Sequence, residues 1–594
     1  MKRRKSGPVA KATPRRNARK RLLVACGVVV IIALGAWARF HHGSAAPIAS
    51  ERHVPRPRGR LTFNRDIAPV MHQHCSGCHH AGGVGPFSLV TYEEIKEHAR
   101  DIVSVTGRRY MPPWLPEPGE PAMTGERRLT EDEIGILRQW ASEGLAEGAP
   151  GDKPMAPTWT EDWQLGAPDL VAELPQAYEL PADGRDVYRN FVLPLSVEGR
   201  RFVRAMEFKP GTKVLHHAFI RFDRTRQSRR RDAEDAEIGF GGMALPPSVE
   251  APGGYFLSWQ PGRGPTRSAA GMAWALEAHS DLILQAHMQP SGKPERVRPK
   301  IGFYFTDQPP TNIPSKLVLS SLKIDIPAGA RDYEIRDSYV LPVAMAILAV
   351  LPHAHYLAGE MHGTAVLPSG ERRSLLKIKA WDFNWQSDFQ YQEPIQLPKG
   401  TRIDMRFTYD NSSSNVRNPH QPPVRVGYGA GSTDEMGELW FQVLPGSPAE
   451  RRIFNEDNDR RLVLDAIEYN EMMLRENPTN AHAHVQLGKA FVNAGRSGEA
   501  LNHFRRAVQL NPIEEEGHYH IGVLLMRSDP AIAEAAFLQT IHVNPENFKA
   551  RNNLGLMMMN SGRPAEAEVQ FRAALELNPN DKLILDNLRL LQKR

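Results

Sequence analysis

Apolar and polar positions alternate with different periods along the 594-residue chain. Residues 22–38 form an unbroken, uncharged apolar run. Within 61–150 the apolar positions fall at helical spacing. Residues 66–73 read as one helix, and residues 130–141 as another, with Thr130 at its N-cap and Glu133 three positions on, a capping box. From 151 to 450 the pattern shortens to alternating or wholly apolar runs at 202–208, 282–288, 301–305, 340–350 and 402–409, broken by Gly, Pro and Asn. Short runs between turn residues mark antiparallel β-sandwiches, and this region is long for one, so two are expected, at 151–309 and 310–450. A helix at about 457–476 then opens a region of helical period, and residues 581–592 read as a closing helix.

That last region repeats. Asn-Pro recurs at 477–478, 511–512, 544–545 and 578–579, at intervals of 34, 33 and 34. Leu487-Gly488, Ile521-Gly522 and Leu554-Gly555 keep step, as do Ala500 with Phe504, Ala533 with Phe537 and Ala567 with Phe571. This is the tetratricopeptide signature: Gly permits close helix crossing, and Pro ends each second helix. An α-solenoid over 455–594 is expected, with three repeats, the minimum for a stable stack. Two roles stay open: a concave surface docking a protein partner or a second copy of the chain, or a buttress for the domain before it.

Composition narrows the class. With 41% apolar and 24% charged residues the chain is neither wholly disordered nor collagen-like. The net charge of +6 misleads, because residues 1–21 hold ten Lys or Arg and no acid. Removing those ten from 74 leaves 64 basic residues against 68 acidic, a balance of −4. Nucleic acid is therefore not an expected partner. The basic segment 1–21 followed by 22–38, about 26 Å long as a helix, predicts a transmembrane signal anchor with the bulk of the chain exported. Ala36-Trp37-Ala38 is an A-x-A site, so a cleaved signal peptide is the alternative. Residues 39–60, rich in Pro, Gly, Ser and Arg and including His41-His42, read as a linker. Cys26, Cys75 and Cys78 are the only cysteines, which excludes a disulfide scaffold.

Cys75-Ser76-Gly77-Cys78-His79 is C-x-x-C-H. Two thiols at this spacing can each add to a haem vinyl group, with the adjacent His beneath the iron. A redox CxxC would not need His79, and a zinc site would need a second ligand pair that the chain lacks. The region 61–150 resembles class I c-type cytochromes. The resemblance implies one covalent haem c and a Met from a loop as sixth ligand, which maps to Met111 in Tyr110-Met111-Pro112-Pro113-Trp114. Met71, Met123, His74 and His80 are rivals for that place.

In the sandwich region, His216-His217 ends an apolar run, His287 closes another, and His353-Ala354-His355 follows a third. His353 and His355 share a face of a strand and can grip one metal, whereas His216 and His217 can do so only at a bulge or strand end. Met436 precedes the run Leu439-Trp440-Phe441. Each His could equally be an ordinary core or surface residue. Along almost its whole length this region is similar to the type II, ascorbate-dependent copper monooxygenases, the family of peptidylglycine alpha-hydroxylating monooxygenase. The resemblance implies two jelly-roll subdomains with one copper ion each. His216, His217 and His287 map to the first site, and His353, His355 and Met436 to the second, catalytic one. Independently, a thioether is a soft ligand and selects Cu(I) over zinc. The family's carboxylate-gripping Arg falls at Leu351, its substrate-facing Tyr at Trp440 and a disulfide Cys at Gly437, so glycine-extended peptides are not expected substrates. The aromatic and Asn-rich segments 381–385 and 409–423 read either as cleft lining or as turns.

The whole arrangement resembles a bacterial group that fuses such a cytochrome to such a copper domain, often with tetratricopeptide repeats. It implies a single-pass inner-membrane protein with its bulk in the periplasm. The expected function is an O2-dependent copper monooxygenase that hydroxylates a C–H bond of an unassigned organic substrate, with electrons passed through its own haem. The alternative is an electron-transfer cytochrome with a non-catalytic scaffold, docked to a protein partner through its repeats.

Overall fold

Two threonines set the frame of the N-terminal helices. Thr91 and Thr130 each close a capping box, with Glu94 and Glu133 respectively, starting the helices Tyr92–Glu97 and Glu131–Ser142. With Ala68–His74 and Ala99–Gly107 these helices surround Phe63, Ile67, Met71, Ile95, Leu137 and Trp140. The computed structural model describes residues 53–593 except 120, 160, 161, 185, 226, 243, 244, 247, 248, 279, 430 and 580. The basic segment 1–21, the anchor expected at 22–38, Cys26 and most of the linker lie outside the described residues. Among the described residues no helix is long and apolar enough to cross a membrane.

The middle of the chain is β-rich, as its alternating pattern predicts. In one sheet Leu170–Glu173, Lys300–Thr306, Arg201–Lys209 and Trp274–Leu276 lie side by side. It faces a second sheet in the order Phe240–Gly241, Val187–Pro194, Asp281–Met288, Leu215–Asp223 and Val249–Glu250. Phe303 and Val203 from the first meet Phe191, Leu284 and Ile220 from the second in one core. A further pair of four-stranded sheets follows: Ser315–Ser320, Gly437–Pro445, Met345–Ala354 and Phe389–Leu397 against Tyr333–Val340, Arg402–Tyr409, Ala358–Val366 and Arg372–Ile378. All pairings in these sheets are antiparallel. Ala346 and Leu348 of the second sandwich sit in the core cluster of the first, and Arg263 with Asp388 ties the two together (2.8 Å).

Three boundaries differ from the pattern-based expectation. The run at 340–350 is two strands, because the chain turns between Val340 and Met345. A helix at Gln227–Glu234 has no apolar periodicity to betray it; Asp223 accepts from the Ser228 N–H and Arg229 pairs with Asp281. The helix expected at about 457 runs Pro448–Glu476, with Ser447 as N-cap accepting from Glu450 N–H and Pro448 at its first turn. Its first third belongs to the second sandwich: Phe454 is fully buried in that core, and Asp457 accepts from the Tyr339 hydroxyl at 2.8 Å.

The repeat helices are Ala481–Asn493 with Ser497–Leu510, Glu515–Leu525 with Pro530–Val543, and Phe548–Asn560 with Pro564–Leu577, closed by Lys582–Gln592. The repeating Gly has a visible cause. A Cβ on Gly488, Gly522 or Gly555 would stand 2.6–2.8 Å from the ring of Phe504, Phe537 or Phe571 on the facing helix. At its far end the solenoid touches the first sandwich, where Arg230 reaches Glu546 and the Leu577 carbonyl, each at 3.0 Å. The solenoid thus contacts the first sandwich through Arg230 as well as following the second in the chain.

Candidate metal centre

Strand Leu215–Asp223 pairs with Asp281–Met288, His217 opposite His287. The register then slips. Met288 pairs with Leu215, and His216 is the extra residue. This bulge swings His216 onto the face of His217, as the adjacent pair requires. His217 Nδ1 lies 3.2 Å from His216 Nδ1 and 3.3 Å from His287 Nδ1, and the three ligand atoms all lie within 4.8 Å of one another. His287 Nε2 sits 2.7 Å from Asp186 Oδ2. A carboxylate only accepts, so Nε2 carries the proton and Nδ1 turns a lone pair to the cluster. Burial drives the His216 pKa down to about 4 and holds His217 well below the usual imidazole range. His287 is lowered by burial too, although Asp186 opposes it. Three neutral imidazoles thus aim ring nitrogens at one point, the donor set of a zinc, copper or iron site.

The second constellation lies at the end of strand Met345–Ala354. The rings of His353 and His355 are 5.3 Å apart and nearly perpendicular. His353 Nδ1 bonds the Gln386 side-chain oxygen at 2.8 Å, and His355 Nδ1 the Asp434 carbonyl at 2.9 Å. Both acceptors fix the proton on Nδ1 and leave Nε2 free to ligate. Burial, with His353 beside it, pushes His355 down to about 4. The buried Glu435 carboxylate accepts the backbone N–H groups of His355 (2.9 Å) and Leu357 (2.6 Å), which ties the His strand to the turn bearing Met436. Burial lifts Glu435 to about 8.

Both constellations reach one cavity of about 270 Å³ between the sandwiches. His217 stands on its wall from the first, and His353 and Met436 from the second, with Leu351 and Trp440 beside them. Phe383 bridges the clusters, its ring 6.5 Å from that of His217 and 5.6 Å from that of His355. Of the two ambiguous segments, 381–385 therefore lines the site: Trp381 is buried and donates to the His355 carbonyl. The Asn-rich segment is turn structure, in which Asn411 donates to Pro327 and Val424 carbonyls. At Gly437 a Cβ would lie 2.2 Å from Ile335, so the packing there leaves no room for a side chain.

In the helical module, His79 Nδ1 bonds the Phe87 carbonyl at 3.1 Å and leaves Nε2 free. Burial raises the Cys75 thiol to about 12 and raises Cys78 as well, which removes the thiolate character a redox CxxC needs. Of the rivals of Met111, Met123 is in the core of the second sandwich, His74 bonds the Arg127 carbonyl and His80 stacks on Trp159, whereas Met71 stands in the helical core with its sulfur 3.8 Å from Cys75 Sγ. Met111 is half-buried, beside Tyr110, whose ring meets Trp385 at 6.4 Å. The module docks on both sandwiches. Lys213 donates to the Gly85 carbonyl (2.8 Å), Gly262 closes on Cys78 Sγ, and Glu117 N–H bonds the Lys377 carbonyl at 2.7 Å.

These donor sets fit the groups that the resemblances imply: three clustered imidazoles, a soft thioether on the cavity wall that also bears His353, and a C-x-x-C-H histidine with a free Nε2. Sequence reasoning did not find Asp186, Gln386 or the holding role of Glu435. Asp186 stands 101 positions from His287, so only sheet register brings the two together.

Two packed sandwiches, a helical module and a solenoid define a modular, repeat-bearing protein. Comparison with known families identifies the repeats. Residues 481–514 and 523–582 match models of the tetratricopeptide repeat, the type of array that scaffolds protein–protein contacts. Curated relatives include anaphase-promoting complex subunit 3 of Schizosaccharomyces pombe, 26% identical over 126 residues (20% of this chain, 18% of that protein). Protein O-mannosyl-transferase TMTC3 of Homo sapiens is 28% identical over 119 residues (20% of this chain, 13% of that protein). The chain spans less than a fifth of the length of either. Among solved structures, the first repeat domain of Spaghetti (RPAP3) bound to an HSP90 peptide is 20% identical and covers 19% of this chain and 90% of that one, with a TM-score of 0.19. A MamA structure is 20% identical and covers 23% of this chain and 76% of that one, with a TM-score of 0.22.

Proposed function

We propose that the chain is an exported haem- and copper-dependent oxidoreductase that hydroxylates a C–H bond of an organic substrate with O2, drawing electrons through its own covalent haem. The observation that carries this reading is the convergence of three imidazole Nδ1 atoms, one of them on His217, which shares the wall of one cavity with His353 and Met436. Bound copper would supply single-electron chemistry and O2 activation, and the haem would supply the electrons.

The chain's own residues have definite tasks in this scheme. His216, His217 and His287 would hold one ion, and His353, His355 and Met436 the other. Cys75 and Cys78 would attach the haem, and His79 and Met111 would ligate its iron. Asp186, Gln386 and the Asp434 carbonyl orient ligand rings. Leu351 and Trp440 make part of the cavity wall apolar, and Phe383 packs between His217 and His355. The docking of the helical module near Lys213, three residues from His216, supports transfer within one molecule.

The test is the iron and copper content of full-length protein matured in a host that attaches c-type haem, alongside His216→Ala and His353→Ala. One iron and two coppers per chain are expected, with one copper lost in each variant. One iron with no copper in a folded chain overturns the reading. The second reading, an electron-transfer cytochrome on a scaffold that docks a partner, would then lead, and the repeats favour it.

A further inference from the structure

We propose that the cavity between the sandwiches binds its substrate by an oxyanion head group, a carboxylate or a phosphate, held between Arg221 and Lys316. Calling the ligand a substrate rests on the oxidoreductase reading; the anion site itself does not.

The two cations come from different sandwiches. Arg221 lies on Leu215–Asp223, and Lys316 on Ser315–Ser320, and both stand on the cavity wall. Lys316 leans over the Trp440 ring, 5.6 Å from its centroid. Among the described residues neither cation forms an ion pair with an acid. Burial and the neighbouring Arg221 depress Lys316 to about 8, and burial alone lowers Arg221. The acids on the same wall are otherwise engaged: Asp388 by Arg263 and Ser258, and Glu438 by the Trp440 indole N–H. Two adjacent, half-buried cations without a counter-charge are costly in an isolated protein. A guanidinium fork beside an ammonium is the recognition chemistry of an oxyanion.

The strand geometry also sets the length of the ligand. His217, Phe219 and Arg221 alternate onto one face, so the cation end lies roughly 13 Å along the strand from His217. Phe219, Leu257, Trp259 and Leu351 line the cavity. A small molecule with an anionic head and an apolar body fits this profile, its far end lying toward the histidines. The position where the resembling family grips a carboxylate holds Leu351, so the charge is supplied here from other strands.

Calorimetric titration of the full-length protein, with and without copper, tests this with 4-phenylbutyrate, 2-phenylethyl phosphate and the neutral 4-phenylbutyramide. At least one anion should bind tenfold or more tighter than the amide, and which one does so separates carboxylate from phosphate. Arg221→Met and Lys316→Met should each abolish that preference while leaving amide binding and metal content unchanged. Lys316→Arg should retain it. The proposal is overturned if neither anion outbinds the amide, or if both Met variants keep the preference. An anion preference in a protein without copper would leave this site standing and remove the oxidoreductase reading. Two bound coppers without the preference would do the reverse.

Discussion

Replacing Asp186 by Ala probes the three-histidine cluster without touching a ligand. Its carboxylate lies 2.7 Å from His287 Nε2 and keeps the proton there, which turns the Nδ1 lone pair toward His217. Without it His287 can take the other tautomer, with a proton where the metal should bind. Loss of such a partner weakens metal affinity about 10- to 100-fold. His287 is 1% exposed but the Asp186 side chain is 37% exposed, so water can replace part of the lost bond. The effect should fall at the low end, about tenfold, or about 1.4 kcal/mol. The assay is competitive titration of Cu(I) against a calibrated chelator, comparing wild type, Asp186→Ala and His287→Ala. Asp186→Ala should weaken one of two sites about tenfold and leave the other unchanged, while His287→Ala should abolish the same one. Wild-type affinity at both sites in Asp186→Ala would refute the assigned tautomer and its role.

Other expectations follow from the packing. Phe454→Ala removes a fully buried ring that joins the long helix to the second sandwich, and should cost about 3–5 kcal/mol, read as a lower denaturant midpoint and faster proteolysis between sandwich and repeats. Gly522→Ala puts a Cβ 2.6 Å from the Phe537 ring and should cost roughly 1–3 kcal/mol, read as lost amide protection in the second repeat. His520, stacked on Phe504, is held by burial at about 4. The unfolded chain takes up that proton near pH 6.5, so it binds more protons than the folded chain between about 6.5 and 4, and repeat stability falls as pH falls through that window. Amide exchange should show that loss, up to roughly 3 kcal/mol, and a shallower slope in His520→Phe.

Local patterns made much of the architecture legible. The Thr130 capping box, the strands at 402–409 and 282–288, and the 34-residue repeat all stand close to where pattern alone puts them. The misses share a cause. The helix at Gln227–Glu234 is charged on every side and is held by Asp223 and Asp281, so it leaves no period to read. The early start of Pro448–Glu476 was signalled by Ser447 and Glu450, but its reason is Phe454, whose core is assembled from strands spread from Ser315–Ser320 to Gly437–Pro445.

The sequence by itself determined most of the helices and strands, where the repeats fall, and which histidines, cysteines and methionines stand as candidate ligands. Those are properties of spacing within a few residues of chain. Tertiary structure decided what the candidates can do together. The slip in register at His216 puts adjacent histidines on one face, Asp186 and Gln386 set ring tautomers from distant segments, and the meeting of two sandwiches puts Arg221 beside Lys316, with no acid paired to either among the described residues. Such features arise from contacts across sheets and between domains, where burial sets charge and proton position, and no local pattern encodes them.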